Sequence, residues 1–81
     1  MADEHVIDLV RLLPAVRRAP GQSIWITYDE EADVLYVTFR RPPGVTDSEL
    51  TDDDVIVRYA GDEVVGYTIL HASKRANVDA A

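Results

Sequence analysis

The sequence predicts an α+β fold: an N-terminal helical segment packed on a four- to five-stranded antiparallel β-meander. Three observations carry this. Apolar residues recur at helical spacing before residue 20, they alternate with period two after it, and a Gly-Asp pair joins the two strongest alternating segments. Eighty-one residues make one domain, read as a helical extension over 1–20, a sheet region over 21–75 and a flexible tail over 76–81.

Within residues 3–18, Val6, Leu9, Val10 and Leu13 fall at i, i+3, i+4 and i+7 and share one helix face. Ile7, Leu12 and Val16 widen that stripe. Asp3 and Glu4 stand where the helix dipole favours anions, Arg17 and Arg18 where it favours cations. Pro14 conflicts with a continuous helix, because it lacks an N–H donor and its ring clashes with the preceding turn. A break at Leu12–Leu13 is expected, with Pro14 opening a second short helix as its first residue. Pro20-Gly21 ends the helical region.

Residues 23–28 form the first strand, with Ile24, Ile26 and Tyr28 on one side and Trp25 and Thr27 on the other. A polar connection over 29–33 leads to the second strand over 34–39. The run Arg40-Arg41-Pro42-Pro43-Gly44 cannot continue a central strand, since two prolines remove two ladder donors. Residues 45–54 are acidic and irregular, with room for a short edge strand near 48–51. Strands over 55–60 and 63–70 then flank Gly61-Asp62, which suits a type II′ turn.

That turn sets a register: Tyr59 opposite Val64, Arg58 opposite Val65, Val57 opposite Gly66 and Ile56 opposite Tyr67. Val55, Val57, Tyr59, Val64, Thr68 and Leu70 then share one face, and Ile56, Arg58, Val65, Tyr67 and Ile69 the other. Both faces are largely apolar, whereas a sheet with one wet face alternates more cleanly. One helix covers one face. The other needs curvature, the proline-rich loop or a partner chain. Ile56, Val65, Tyr67 and Ile69 are therefore the expected interaction residues, with Trp25 as a core or interface anchor. Gly66 reads as room for a bulky side chain, Trp25 or Tyr59, to cross the sheet closely.

Fifteen acidic residues against eight basic ones leave a net charge of −7. Such a chain repels a phosphate backbone, which argues against nucleic-acid binding. The apolar run over 6–13 is broken by Asp8 and Arg11, and nothing approaches the roughly 20 apolar residues of a membrane span. With no cysteine, no disulfide or thiolate site staples the core. A cytoplasmic protein without a membrane partner is the expectation. A chain this small buries only about 60% of its unfolded surface, so its stability rests on dense local packing or on assembly.

Tyr28-Asp29-Glu30-Glu31-Ala32-Asp33-Val34-Leu35-Tyr36, the acidic lead into Asp54-Val55-Ile56-Val57, and the hairpin return through Gly61, Val64-Val65-Gly66 and Ile69-Leu70 to Ala72-Ser73-Lys74 form one combination. Over residues 24–75 it resembles the domain of unknown function 2283, or YuzE-like, family. That family has D-x-x-G at the hairpin, where this chain has the tighter Gly61-Asp62. The resemblance implies the α+β sheet fold and no activity. Its members are similar to small reading frames beside other small genes, some toxin-like, which implies a binding or antitoxin-type role.

Asp29, Glu30, Glu31 and Asp33 cluster in the first turn, and Asp47, Glu49, Asp52, Asp53 and Asp54 in the second acidic segment. Neither has an EF-hand pattern. They read as solvated turns, with Asp29 capping its own turn and Asp33 bonding backbone amides. His5 and His71 are the only histidines, and no nucleophile elbow accompanies them. Arg40, Arg41, Lys74 and Arg75 read as scattered surface charge. No catalytic residue, metal ligand or cofactor is expected. The expected function is a small non-enzymatic protein-interaction module, antitoxin-like or regulatory, acting as a homodimer or with a small protein partner. In the antitoxin form, its acidic surface masks a basic RNA-binding partner. The alternative is a small metal- or ligand-binding enzyme that gathers Asp29, Asp33 or Asp54 near His71.

Overall fold

The computed structural model describes residues 2–75, with side chains from Val6 onward. The expected tail over 76–81 and the side chains of Asp3, Glu4 and His5 lie outside the described residues. Helix α1 spans Ala2–Val10 and α2 spans Leu13–Arg18. Pro14 lies in the first turn of α2, where its missing N–H costs no helical hydrogen bond. A 3-10 turn over Pro20–Gln22 leads into β1, Trp25–Asp29. The remaining strands are β2 (Val34–Thr38), β3 (Asp47–Leu50), β4 (Val55–Ala60) and β5 (Glu63–Leu70). The result is the α+β arrangement expected, with five strands.

Every pairing is antiparallel, and the spatial order is β1-β2-β5-β4-β3. This departs from a simple meander. β5 inserts between β2 and β4, and the proline-rich connection carries the chain from β2 to the far edge. The physical reason is apolar content: β5 is the longest strand and takes the centre, where Val65, Gly66 and Thr68 are buried. The exposed edge strand β3, Asp-Ser-Glu-Leu, carries charge that discourages further strand addition. Thr46 ties the β4–β5 turn to this edge. Its backbone N–H donates to the Tyr59 carbonyl, and its hydroxyl accepts from the Gly61 N–H at 2.9 Å.

The β4–β5 loop has two residues, with Gly61 at φ 64° and Asp62 outside the left-handed region, as a type II′ turn requires. Tyr59 pairs with Val64 as expected, but the next pair is Arg58 with Gly66. Val65 is an extra residue, a β-bulge, and its carbonyl accepts the Phe39 N–H at 2.9 Å. The expected register is therefore corrected by one residue beyond it: Val57 faces Tyr67, Ile56 faces Thr68 and Val55 faces Ile69. Gly66 does not make room for Trp25 or Tyr59. A Cβ there would stand 2.5 Å from the backbone oxygen of Val37, so the close approach comes from β2 itself.

The core is sparse. Among the described residues only Ala19, Val34 and Val65 are buried apolar side chains. The expected packing of the helical segment on the sheet is confined to its end, where α2 and the 3-10 turn flank a groove against β2 and β5. Val6, Ile7, Leu9 and Val10 on α1 remain 51–59% exposed. The radius of gyration is 13.6 Å, against about 12 Å for a compact chain of this length.

Candidate interaction surface

Paired residues share a sheet face and neighbours in a strand alternate, so the register defines two faces. One carries Ile26 and Tyr28 from β1, Leu35 and Val37 from β2, Tyr67 and Ile69 from β5, and Val55 and Val57 from β4. The other carries Trp25, Val34, Tyr36, Thr68, Leu70, Ile56 and Arg58. They are called below the Val37 face and the Thr68 face.

The Thr68 face is partly self-covered. Val34 is buried, and Thr68, between cross-strand neighbours Tyr36 and Ile56, is 4% exposed. The half-buried Arg58 donates from Nε to the Thr68 hydroxyl at 2.8 Å, which partners both polar groups. The Val37 face has no fully buried side chain and no charge on its three central strands. Phe39 and Tyr67 meet edge to face there, with centroids 5.5 Å apart and planes at 86°. At one end of this face Ala15, Ala19 and Pro20 join Val37, Phe39 and Tyr67 around an open groove of about 400 Å³.

The structure does not bring the five expected interaction residues together. Ile56 and Trp25 lie on the Thr68 face, Tyr67 and Ile69 lie on the Val37 face, and Val65 is 1% exposed. The bulge divides them, and sequence alternation carries no sign of it. The residues missed are Leu35, Val37, Phe39 and Val57, whose shared face with Tyr67 becomes visible only in the corrected register. Trp25 is 40% exposed, and the Arg41 guanidinium lies over its ring at 6.0 Å.

The acidic turns hold themselves together. The Asp29 carboxylate caps its turn by accepting the Ala32 N–H at 3.2 Å. Asp33 accepts from the Tyr28 hydroxyl at 2.6 Å and from the backbone N–H and hydroxyl of Ser73, at 2.9 and 2.8 Å. Its carbonyl also accepts the Ala72 N–H. These bonds clasp the residues after β5 to the β1–β2 turn. The Asp33 and Asp54 carbonyls accept the N–H groups of Ala72 and Leu70, the two neighbours of His71, and Asp33, Asp54 and His71 adopt φ of 57°, 62° and 53°. Asp and His are among the side chains that tolerate this left-handed region. Among the described residues, no group of three or more His, Asp or Glu side chains could hold a metal ion. Arg40 bonds the Pro43 carbonyl and lies 3.5 Å from Glu63 at the opposite end, while Arg75 bonds the Asp53 carbonyl, so the four basic residues form no single patch.

The clasp is pH-sensitive. The Tyr28 hydroxyl, then the Ser73 N–H and hydroxyl, hold the Asp33 carboxyl below its ordinary pKa. The same bond to Asp33 holds the Tyr28 phenol above its own. A depressed carboxyl stabilises the fold above its unfolded pKa of about 4, and that stabilisation is lost as pH falls through the lower folded value. A raised phenol stabilises below about 10 and loses its contribution as pH rises through the higher folded value. Melting Asp33→Asn beside the native chain is expected to show a clear deficit at pH 6 that narrows steadily below pH 4. An unchanged deficit down to pH 2 would show that ionisation of Asp33 contributes nothing.

A single five-stranded antiparallel sheet with two largely apolar faces, one of them partly self-covered, defines a small α+β protein. The chain belongs to the family of proteins of unknown function DUF2283, whose model matches residues 25–73. That match runs from the start of β1 to Ser73 of the clasp and leaves the helices outside. No curated protein and no solved structure was found to match. No helix among the described residues is long and apolar enough to cross a membrane.

Proposed function

We propose that this chain is a non-enzymatic protein-interaction module that completes its hydrophobic core on assembly, in the first instance as a homodimer in the cytoplasm. One observation carries the reading: among the described residues the five-stranded sheet holds only two buried apolar side chains, Val34 and Val65, with Ala19 the third in the whole fold, and the Val37 face is left open. A domain of this size depends on nearly all the apolar burial its sequence permits. Exposed apolar patches of this kind mark interaction sites. The occupied carboxylates of Asp29 and Asp33 favour this reading over acid–base chemistry, since both oxygens of Asp33 already accept hydrogen bonds. The net charge of −7 suits a regulatory or antitoxin-like variant, in which a small basic protein takes the open face.

Light scattering on a size-exclusion column, over a hundredfold range of concentration, tests the homodimer. A mass near twice the 9.0 kDa of one chain is expected, with a melting temperature that rises with concentration. A folded 9.0 kDa species with a concentration-independent melt would remove it. A basic reading frame adjoining the gene would then direct the search to its product.

A further inference from the structure

The two edges of the sheet differ. β3 carries Asp47 and Glu49, whereas β1 has no proline and no charge before Asp29, and all five of its residues are exposed. An edge of the second kind accepts a further strand. We propose that β1 of one copy pairs antiparallel with β1 of a second, with Thr27 on the twofold axis, so that the two sheets join into one. The proposal rests on the homodimer reading and names its contact. The two Val37 faces then adjoin on one side of the joined sheet.

The backbone is set for this register. The Leu70 N–H donates to the Asp54 carbonyl, so Leu70, Thr68 and Gly66 turn their backbone groups towards β4. Ile69 and Tyr67 turn theirs towards β2, in agreement with the bond from the Phe39 N–H to the Val65 carbonyl. Leu35 and Val37 therefore bond β5, and Val34, Tyr36 and Thr38 bond Asp29, Thr27 and Trp25 of β1. That leaves the N–H and carbonyl groups of Ile26 and Tyr28 aimed out of the sheet, and among the described residues nothing bonds them. With Thr27 on the axis, Ile26 exchanges both bonds with Tyr28 of the other copy, and Tyr28 with its Ile26.

Charge identifies the added strand as a second copy. β1 runs from a basic end to an acidic one, and antiparallel self-pairing lays each on the other. Asp29 comes opposite Trp25 of the other copy, and the Arg41 guanidinium lies over that ring at 6.0 Å. One Asp29 oxygen caps its own turn, and the second has no hydrogen bond among the described residues. One pair further out, Glu30 comes opposite Ile24, which lines the same groove as Arg18. The twofold axis makes each of these pairings twice.

Thr27 facing its own copy is a pair without ladder bonds, with Cα atoms about 4.5 Å apart, a span that a disulfide bridges. The chain has no cysteine, so an introduced thiol reports without background. Mild oxidation of Thr27→Cys is expected to give a covalent dimer, and Ser48→Cys on the β3 edge is expected to stay monomeric. Equal cross-linking of the two would overturn the proposal. Thr27→Lys sets two ammonium groups against each other at an exposed position, and is expected to weaken self-association at least about tenfold. Amide exchange supplies a separate readout. Protection of Ile26 and Tyr28 is expected to rise with protein concentration in the native chain and not in Thr27→Lys. A dimer that Thr27→Lys leaves intact would overturn edge pairing and keep the homodimer reading. A native chain that never dimerises would overturn both.

Discussion

Gly66→Ala is expected to lower stability by about 2–3 kcal/mol, with a melting temperature about 10–20 °C below that of the native chain. The added methyl would stand 2.5 Å from the Val37 backbone oxygen and 3.5 Å from the Thr38 Cα. Neither can yield alone, because Thr38 pairs directly with Gly66 and Val37 pairs with Tyr67. The central ladder must therefore open, at β5, the strand on which both halves of the sheet depend. Against this stands a gain of under about 1 kcal/mol from stiffening the unfolded chain. Total stability for 81 residues is about 4–12 kcal/mol, so the loss is a large fraction of it. Gly61→Ala is the comparator. Nothing lies within 4 Å of its added Cβ, and its φ of 64° costs an alanine about 1 kcal/mol. Urea unfolding of both variants decides the matter, and a Gly66→Ala midpoint at or above that of Gly61→Ala would refute the steric account.

Val65→Ala is expected to cost about 2 kcal/mol, from the transfer free energy of two lost carbons and the cavity they leave. Among the described residues, Val65 is the most completely buried large side chain, at 1% exposure. Its neighbour Val64 is only half-buried beside the open groove, and Val64→Ala is expected to cost no more than about 1 kcal/mol. Bulge placement predicts this ordering, whereas simple alternation gives no reason for it. Equal losses at the two positions, measured by the same urea titration, would argue that the extra residue is not at Val65.

Much of the fold was legible in local chemistry. Pro14 divided the helices because it lacks a donor, and Gly61-Asp62 made a two-residue turn because glycine tolerates positive φ there. Asp29 capped its turn as its side-chain length allows. The candidate surface was less legible. Alternation from the turn placed Ile56 with Tyr67, and one inserted residue reversed the pairing of every position beyond it. The period of a strand is two, so a shift of one moves each side chain to the other face. The Asp33 clasp escaped notice for a different reason: Tyr28 and Ser73 reach it across 5 and 40 residues of chain.

By itself, the sequence determined the order of the elements and their extents to within a residue or two, the tight turn and the surplus of apolar surface over what one helix can cover. Those properties follow from dihedral preference, missing donors and residue spacing, all of which act within a few residues. Only the tertiary structure decided that β5 lies at the centre, that Val65 bulges and that the Val37 face is the open one. These depend on which backbones approach across long stretches of chain, at Gly66 above all, and no local preference encodes such an encounter.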